Sequence, residues 1–174
     1  MFVDEFGANT KMQRTHGRAA PGERVVARVP HGHYKAISTI AALSAGKGIV
    51  ASVSFDGGTT AARFVDFVRG ALCPALRKGR VVVLDNLAAH NDRRVDALIG
   101  SAGCAVLRLP PYSPDFNPIE NAISKVKAML RKLAKRTVPE LFDAIDDALA
   151  SVTAADARAY IAHCGYATHR RKPL

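Results

Sequence analysis

Several features are scarce in this sequence, and each absence excludes a class of protein. There is no tryptophan and only 6% of the residues are aromatic, scattered along the chain, so a base-stacking surface with interleaved aromatics is not indicated. No apolar stretch approaches the roughly 18–20 residues that a membrane-spanning helix needs, so no contact with a membrane is expected. The first residues, MFVDE, lack the basic and apolar segments of a secretory signal, so we expect a cytoplasmic protein.

Cysteine is also scarce. Cys73, Cys104 and Cys164 are odd in number and lack C-x-x-C spacing, so they are expected to be reduced thiols. This excludes a disulfide framework and a zinc site. Several other side chains of metal-ligand type fall in predicted loops or in the tail, where they are expected to be solvated. They are His31, His33, His163, Cys164 and His169.

The composition is typical of a single, basic, globular domain. The chain has 174 residues, with 25 Lys and Arg against 15 Asp and Glu, a net charge of +10 and a pI near 10.0. The apolar fraction of 48% is enough for a core and excludes intrinsic disorder, although 30 of those residues are alanine. A positive excess of this size favours a polyanionic partner.

The order of apolar patterns predicts an α/β protein with a mixed sheet. Alternating runs at the start indicate antiparallel hairpin strands, with a short glycine-bearing link at 44–48, and βα units follow. This order implies helices on both faces of the sheet. The predicted strands are 2–4, 24–28 (an edge strand), 33–43, 48–55, 81–84 and 104–109. The first predicted helix carries the apolar residues Phe64, Val65, Val68, Leu72 and Leu76 on one face. Two further helices are predicted at 92–102 and 118–136, and one or two more near the end of the chain.

Two aspartates follow predicted strands. Asp85 comes directly after the apolar run 81–84, and Asp4 ends the first predicted strand. Functional residues of such sheets gather at the carboxyl ends of parallel strands. If the two strands are neighbours, the carboxylates meet, where like charges raise each other's pKa and a divalent cation relieves the repulsion. The alternative is that each is a turn aspartate that accepts a local backbone hydrogen bond.

Glu120 is the third acidic candidate and stands at the start of the predicted helix 118–136. Asn117 is a suitable cap and Pro118 fits the first turn, so Glu120 matches a capping box as well as a metal site. Both interpretations are compatible, because the first turn of a helix fixes the direction of a carboxylate. The predicted buried stripe is Ile119, Ile123, Val126, Leu130 and Leu133, and the adjacent face is Glu120, Ser124, Lys127 and Arg131. A carboxylate that heads a basic face suits phosphate chemistry.

Three segments of the sequence carry specific motifs: VDE at 3–5, VLDNLAAH at 83–90 and LPPYSPDFNPIE at 109–120. Together they resemble mariner-type DDE transposases, in the branch found in bacterial insertion sequences, and GHYK at 32–35 and GY at 165–166 are also similar. Between Asp85 and Glu120 lie 34 residues, the spacing that this superfamily favours. The resemblance covers nearly the whole chain, and 109–120 is its most specific part.

The resemblance implies a ribonuclease-H-like fold and a metal-dependent transposase that cuts DNA strands and joins 3′-hydroxyl ends to target DNA. It implies two Mg²⁺ (or Mn²⁺) ions, roughly 3.5–4 Å apart, that support in-line displacement at phosphorus. Mg²⁺ prefers carboxylates and water, so three carboxylates suffice. The implied catalytic and metal-binding residues are Asp4, Asp85 and Glu120. The residues implied to orient these ligands or to position phosphate are Asn86, His90 and Asn117.

The basic excess is concentrated in two blocks. Residues 11–35 contain six basic residues against one acidic residue, residues 125–136 contain six against none, and residues 137–157 contain five acidic residues and no basic one. The two basic blocks follow the first and third acidic candidates in sequence, so a groove that tracks the DNA backbone across the acidic site is expected. The predicted DNA-binding residues are Lys11, Arg14, Arg18, Lys125, Lys127 and Arg131.

The resemblance also implies partners and a domain organisation. Residues 1–136 are predicted to form the catalytic core, with 137–174 as C-terminal helices that pack on it. The expected partners are the DNA of the element ends and the target DNA. The protein is expected to be a homodimer and to be associated with the bacterial nucleoid. Family members carry an N-terminal helix-turn-helix domain that this chain lacks, so we expect such a half to be encoded upstream. The alternative is a truncated, non-catalytic remnant that binds DNA or dimerises and competes with the intact transposase.

Two further segments have structural interpretations. DGGTT at 56–60 is similar to the phosphate loop of sugar-kinase-like folds, but its position after the third strand favours a turn and a helix cap. An acidic face is predicted on a C-terminal helix. It is expected to be solvated, with contact to a basic partner as the alternative, and it comprises Glu140, Asp143, Asp146 and Asp147.

Overall fold

Five strands form one mixed sheet in the computed structural model, which describes residues 1–28, 30, 31 and 34–166. The strands are β1 (Phe2–Asn9), β2 (Ala36–Ser44), β3 (Gly48–Asp56), β4 (Val81–Leu84) and β5 (Ala105–Arg108). Their order across the sheet is β3-β2-β1-β4-β5. The pairs β1–β2 and β2–β3 are antiparallel, whereas β1–β4 and β4–β5 are parallel. The predicted combination of hairpins and βα units is therefore confirmed.

The helices connect and cover these strands. They are α1 (Ala61–Phe67), α2 (Cys73–Ala75), α3 (Arg93–Ser101), α4 (Pro118–Leu133), α5 (Val138–Ala150) and α6 (Ala154–His163). A π-helical segment, Val68–Leu72, joins α1 to α2. The Thr60 hydroxyl accepts a hydrogen bond from the Arg63 N–H and caps α1, so 56–60 is a turn and a helix cap. Within the residues described, no helix is long and apolar enough to cross a membrane.

Apolar clusters lie on both faces of the sheet because successive strand side chains point to opposite sides. On one face, Phe2 and Val83 belong to a cluster that includes the buried side chains of α4, α5 and α6. On the other face, Val3, Val82 and Leu84 belong to a cluster with the buried side chains of α1 and α3. Helices therefore cover both faces, as predicted.

The central pairing of β1 with β4 sets the position of the acidic candidates. Phe2 pairs with Val83 in parallel register. Asp4 and Asp85 each lie two residues further along their chains, so the register brings them to the same level of the sheet. The two strands are neighbours, which is the condition under which the two carboxylates were expected to meet.

Two strand predictions were wrong. Residues 24–28 form no strand: Val25 and Val26 are 49% and 83% exposed, and the charged residues around them leave no apolar face to bury. Asp4 does not end β1, because β1 continues to Asn9 and pairs with β2 as far as Ala36. β2 itself begins at Ala36, and the predicted first residue, His33, lies outside the described residues.

The end of α4 also differs from the prediction. The helix ends at Leu133 instead of Arg136, because Ala134 adopts a left-handed conformation with φ 49°. Leu133 is consequently 38% exposed and does not belong to the buried stripe. The other predicted members of that stripe, Ile119, Ile123, Val126 and Leu130, are buried.

Helices α5 and α6 pack on the same apolar cluster as α4. Leu141, Ile145 and Ile161 are buried in this cluster. The acidic side chains of α5 are exposed, in agreement with a solvated face, and they are Glu140, Asp143, Asp146 and Asp147. The division into a core of 1–136 and C-terminal helices of 137–174 stays a prediction.

Candidate functional site

An open cavity of about 420 Å³ lies at the carboxyl ends of β4 and β5. Its lining includes all three acidic candidates, which come from β1, the end of β4 and the first turn of α4. The proline-rich segment 110–114 forms another part of the wall. The predicted residues on the lining are Asp4, Asp85, Asn86, Asn117 and Glu120, so the fold brings together residues separated by more than 100 positions in sequence.

Asp4 is the most buried of the three carboxylates, with 7% of the residue exposed. Its Oδ1 accepts a 2.7 Å hydrogen bond from the Glu5 backbone N–H, and its Oδ2 accepts one of 2.7 Å from the Asn117 side-chain amide. Burial, together with the smaller effects of the charges of Glu120, Asp85 and Glu5, raises the pKa of Asp4 to about 7, although the backbone hydrogen bond from Glu5 opposes this rise. A cation beside Asp4 would relieve both the burial of its charge and the repulsion.

Asp85 is held at one of its two oxygens. Oδ1 accepts a 3.0 Å hydrogen bond from the Leu87 backbone N–H and lies 2.5 Å from His90 Nδ1. These contacts with His90 and Leu87 lower the pKa of Asp85, although partial burial opposes them. Asp4 and Asp85 therefore each accept the local backbone hydrogen bond that is expected of a turn aspartate. Both residues also line the cavity.

His90 lies behind the cavity and is fully buried. Its Nε2 is 2.9 Å from Glu5 Oε2, and its ring packs at 4.1 Å between centroids against Phe64. The Nδ1 contact with Asp85 is a close ionic contact whose angle departs from hydrogen-bond geometry. Burial alone would lower the pKa of His90, but the two carboxylates outweigh it and raise the pKa to about 9. The two carboxylates therefore favour the protonated form of His90.

The capping box predicted at the start of α4 is absent. Asn117 precedes the helix, but its side chain makes no capping hydrogen bond and instead donates to Asp4. Glu120 remains exposed on the first turn, and its backbone N–H donates to the Asn117 carbonyl over 3.0 Å. The Asn117 side chain therefore contacts a carboxylate of the cavity instead of capping the helix. The Glu120 carboxylate takes no part in a capping box.

Asn86 and Leu109 join the ends of β4 and β5. The Asn86 side-chain amide donates to the Leu109 carbonyl, and the Leu109 N–H donates to the Leu84 carbonyl over 2.8 Å. Leu109 begins the proline-rich wall of the cavity. This pair of contacts therefore fixes that wall relative to Asp85, which precedes Asn86 in the chain.

The donor set of the cavity suits a hard divalent cation. Three carboxylates with repelling charges are the oxygen ligands that Mg²⁺ and Mn²⁺ prefer. In the part of the chain that the structure describes, no three His, Cys, Asp or Glu side chains are already grouped closely enough to hold a metal ion. The contacts explain this: Asp4 and Asp85 direct oxygens to Asn117 and His90. His33 and His169, considered above as metal ligands, lie outside the described residues.

Comparison with known proteins identifies the family. A family model described as DDE superfamily endonuclease matches residues 1–141. The chain belongs to the DDE superfamily endonucleases. No curated protein matches the sequence of this DDE endonuclease domain.

Solved structures confirm the ribonuclease-H-like fold of this DDE endonuclease domain. The Mos1 transposase paired-end complex with left transposon end is 19% identical with a TM-score of 0.75, over 92% of this chain and 50% of that one. The catalytic domain of Mos1 mariner transposase is 17% identical with a TM-score of 0.60, over 92% of this chain and 75% of that one. The chain thus spans about half the length of the complete transposase it resembles.

The predicted DNA-binding residues of the DDE endonuclease domain do not line the cavity. They are Lys11, Arg14, Arg18, Lys125, Lys127 and Arg131, all within the described residues. Lys125 Nζ is held 2.7 Å from Asp156 Oδ2 and 2.9 Å from the Ser151 carbonyl. The two basic blocks meet where Arg136 Nη1 donates to the carbonyls of Thr10 and Met12, over 2.9 and 3.0 Å.

Three residues near the cavity were not predicted. Glu5 contacts His90, and Arg108 Nη2 donates to the His90 carbonyl over 3.0 Å. Tyr166 donates to the Phe116 carbonyl over 2.8 Å and so anchors the end of the proline-rich segment. The similarity of VDE at 3–5 and GY at 165–166 to the transposases was the available signal for Glu5 and Tyr166. No sequence pattern indicated Arg108, since its partners lie on a neighbouring loop and helix.

Proposed function

We propose that this domain is a metal-dependent DNA transposase of the mariner type, from a bacterial insertion sequence, that cuts DNA strands and joins 3′-hydroxyl ends to target DNA. The observation that carries the proposal is the convergence of Asp4, Asp85 and Glu120 on one open cavity. Membership of the DDE endonucleases supports the reaction class. Mos1 paired-end complexes with Mg and with Mn support a divalent cofactor.

In this proposal the three carboxylates hold two Mg²⁺ or Mn²⁺ ions. When bound, such ions activate the attacking oxygen and stabilise the leaving one in an in-line displacement at phosphorus. Asn117 holds Asp4 from the α4 side, and His90 holds Asp85 from the other side of the sheet. Asn86 fixes the proline-rich wall against which the DNA strand would lie.

The DNA is held mainly through its phosphates. The contact of Arg136 with the carbonyls of Thr10 and Met12 joins the end of one basic block to the start of the other, which supports the proposal of a continuous positive surface. Its proposed contacts are Lys11, Arg14, Arg18, Lys127 and Arg131. Lys125, which was also predicted to bind DNA, is paired with Asp156 and is therefore left out of this proposal. By analogy with the Mos1 complex with left transposon end, we propose element-end DNA as a partner. Binding of target DNA, a homodimer as the working form and a nucleoid location are further parts of the same proposal.

The direct test is the variant Asp85→Asn in cleavage of a duplex that carries the element's own terminal repeat. We expect cleavage that depends on Mg²⁺ or Mn²⁺ in the wild type, its loss in Asp85→Asn, and little change in duplex affinity. Asp66→Asn is the matched control, because Asp66 is an exposed aspartate on α1 whose only ion-pair partner among the described residues is Arg69. Undiminished cleavage by Asp85→Asn would overturn the proposal.

A second candidate is a non-catalytic remnant that binds DNA or dimerises and competes with the intact transposase. Both oxygens of Asp4 already accept hydrogen bonds, from the Glu5 backbone N–H and from the Asn117 side chain, which favours this candidate. Titration with Mn²⁺ separates the two. An active site gains stability by linkage, about 2.7 kcal/mol at 100 times Kd, so its melting temperature rises, whereas that of a remnant stays constant.

A further inference from the structure

Glu5 is the neighbour of Asp4 on β1, yet it acts on the opposite face of the sheet. Asp4 contacts Asn117, which precedes α4. Glu5 faces the side of α1, where its Oε2 lies 2.9 Å from Nε2 of the fully buried His90. Alternation along a strand accounts for the two directions. The same stretch of β1 therefore supplies one carboxylate to the cavity and another to the histidine behind it.

His90 connects Glu5 to Asp85. Its two ring nitrogens face the two carboxylates, at 2.9 Å from Glu5 Oε2 and 2.5 Å from Asp85 Oδ1. The ring packs on Phe64, and the carbonyl of His90 accepts a hydrogen bond from Arg108. The imidazole is thus fixed by contacts at both nitrogens, on one ring face and at its backbone. Any rotation of this ring would move the group that contacts Asp85.

The contacts leave Asp85 with two different oxygens. Oδ1 is engaged by the Leu87 N–H and by His90, whereas Oδ2 accepts no hydrogen bond from the described residues. A carboxylate held at one oxygen presents the other in a fixed direction. This is the arrangement in which outer partners orient the ligands of a metal site.

We propose that Glu5 is a positioning residue, which fixes the Asp85 carboxylate through His90 for binding a divalent cation. The proposal rests on the metal-binding role proposed for Asp85. It assigns Glu5 no contact with the metal or the DNA, because its Oε2 is occupied by His90 on the far face of β1.

The burial of Glu5 requires that stability and metal binding be measured separately. Only 17% of its side chain is exposed, and Oε1 is buried without a hydrogen-bond partner among the described residues. Replacement of both members of a buried ion pair by apolar side chains is often neutral, whereas removal of one member alone leaves the other charge unpaired and destabilises the fold. A loss of stability in a Glu5 variant therefore does not distinguish the two roles, and a loss of Mn²⁺ affinity in a folded variant does.

The test measures Mn²⁺ affinity of the full chain by calorimetry, with unfolding followed separately in EDTA. We expect Glu5→Met to weaken Mn²⁺ binding by about 10- to 100-fold, the usual effect of losing an outer partner of a metal ligand. Glu5→Gln retains an oxygen that accepts from His90 Nε2, so its affinity is expected to stay close to that of the wild type. Asp66→Ala is the control for removal of an acidic side chain.

A double-mutant cycle shows whether Glu5 acts through His90. If it does, Glu5→Met combined with His90→Ala binds Mn²⁺ no more weakly than His90→Ala alone. Additive losses would overturn the positioning role and indicate a direct one. Should Glu5→Met fail to fold in EDTA, Glu5→Ala takes its place in the same cycle.

The outcomes separate this inference from the proposed function. Wild-type affinity in a folded Glu5→Met, together with loss of binding in Asp85→Asn, would overturn the inference alone. Equal behaviour of the wild type and Asp85→Asn, whether both bind Mn²⁺ or neither does, would overturn the metal role of Asp85 and this inference with it.

Discussion

The side-chain amide of Asn117 donates a 2.7 Å hydrogen bond to Asp4 Oδ2, and both residues are buried although they are 113 positions apart in sequence. The bond joins β1 to the start of α4. It therefore holds together the two elements that carry the first and third acidic candidates, Asp4 and Glu120. A residue that local sequence assigns to the helix cap thus belongs to the cavity.

Replacement of Asn117 by alanine should destabilise the fold by about 1–3 kcal/mol, because a buried oxygen of Asp4 loses its partner. Urea unfolding measures this change. Asn121→Ala is the control, since Asn121 stands one turn further along α4 and makes only a long 3.7 Å contact with Cys164 Sγ. Equal losses in the two variants would contradict the assigned importance of the Asn117–Asp4 bond.

Arg108 is predicted to stabilise the 3-10 helical turn Ala88–Asn91, which carries His90. It donates to the His90 carbonyl, to Asn91 Oδ1 and to Asp96, over 2.9 to 3.0 Å. Arg108→Met keeps the aliphatic stem and removes these bonds, so we expect a loss of about 1–2 kcal/mol in urea unfolding.

Arg94→Met is the matched control for Arg108→Met. Arg94 pairs only with Asp92, and its own side chain is 60% exposed. An exposed pair of this kind contributes less than about 1 kcal/mol. If Arg94→Met lowered the free energy of unfolding as much as Arg108→Met, the specific stabilising role of Arg108 would be contradicted.

The basic residues of α4 should differ in their contribution to DNA binding. Lys125 is paired with Asp156, whereas Lys127 and Arg131 form no ion pair with the described residues. Lys127→Ala and Arg131→Ala should each reduce the slope of log Kd against log salt concentration by about 0.9, the value for one lost phosphate contact. Lys125→Ala should leave the slope nearly unchanged, and an equal reduction in Lys125→Ala would contradict this distinction.

Asp156 should make stability depend on pH in the acid range. Its contacts with Lys125 and then with Thr153 lower the pKa of Asp156 to about 2. Between about pH 4 and pH 2, the Asp156 carboxylate stays charged in the folded state, whereas it takes up a proton in the unfolded chain. Its contribution is therefore complete above the unfolded pKa, near 4, and is lost as the pH falls towards 2.

The measurement is urea unfolding of the wild type and Asp156→Asn across the acid range. We expect the stability of Asp156→Asn to decline less steeply below pH 4 than that of the wild type. Asp143→Asn, at an exposed position on α5, should decline like the wild type. The same acid decline in all three proteins would show that Asp156 does not supply this dependence.

Local sequence patterns were sufficient to predict most of the fold. The run 81–84 and the stripe from Ile119 to Leu130 have the periodicity of a buried strand and an amphipathic helix, and both elements are present. The prediction failed where local signals were weak. Residues 24–28 have too few apolar side chains to bury a face, and α4 ends early at the left-handed Ala134.

The sequence by itself determined which chemistry the chain carries: the acidic candidates, their spacing and the basic blocks are read directly from it. Only the tertiary structure decided how the polar side chains pair. Asn117 contacts Asp4, His90 lies between Glu5 and Asp85, and Lys125 contacts Asp156. Periodicity depends on neighbours within a turn or a strand, whereas these pairings depend on strand order and register, which join distant parts of the chain.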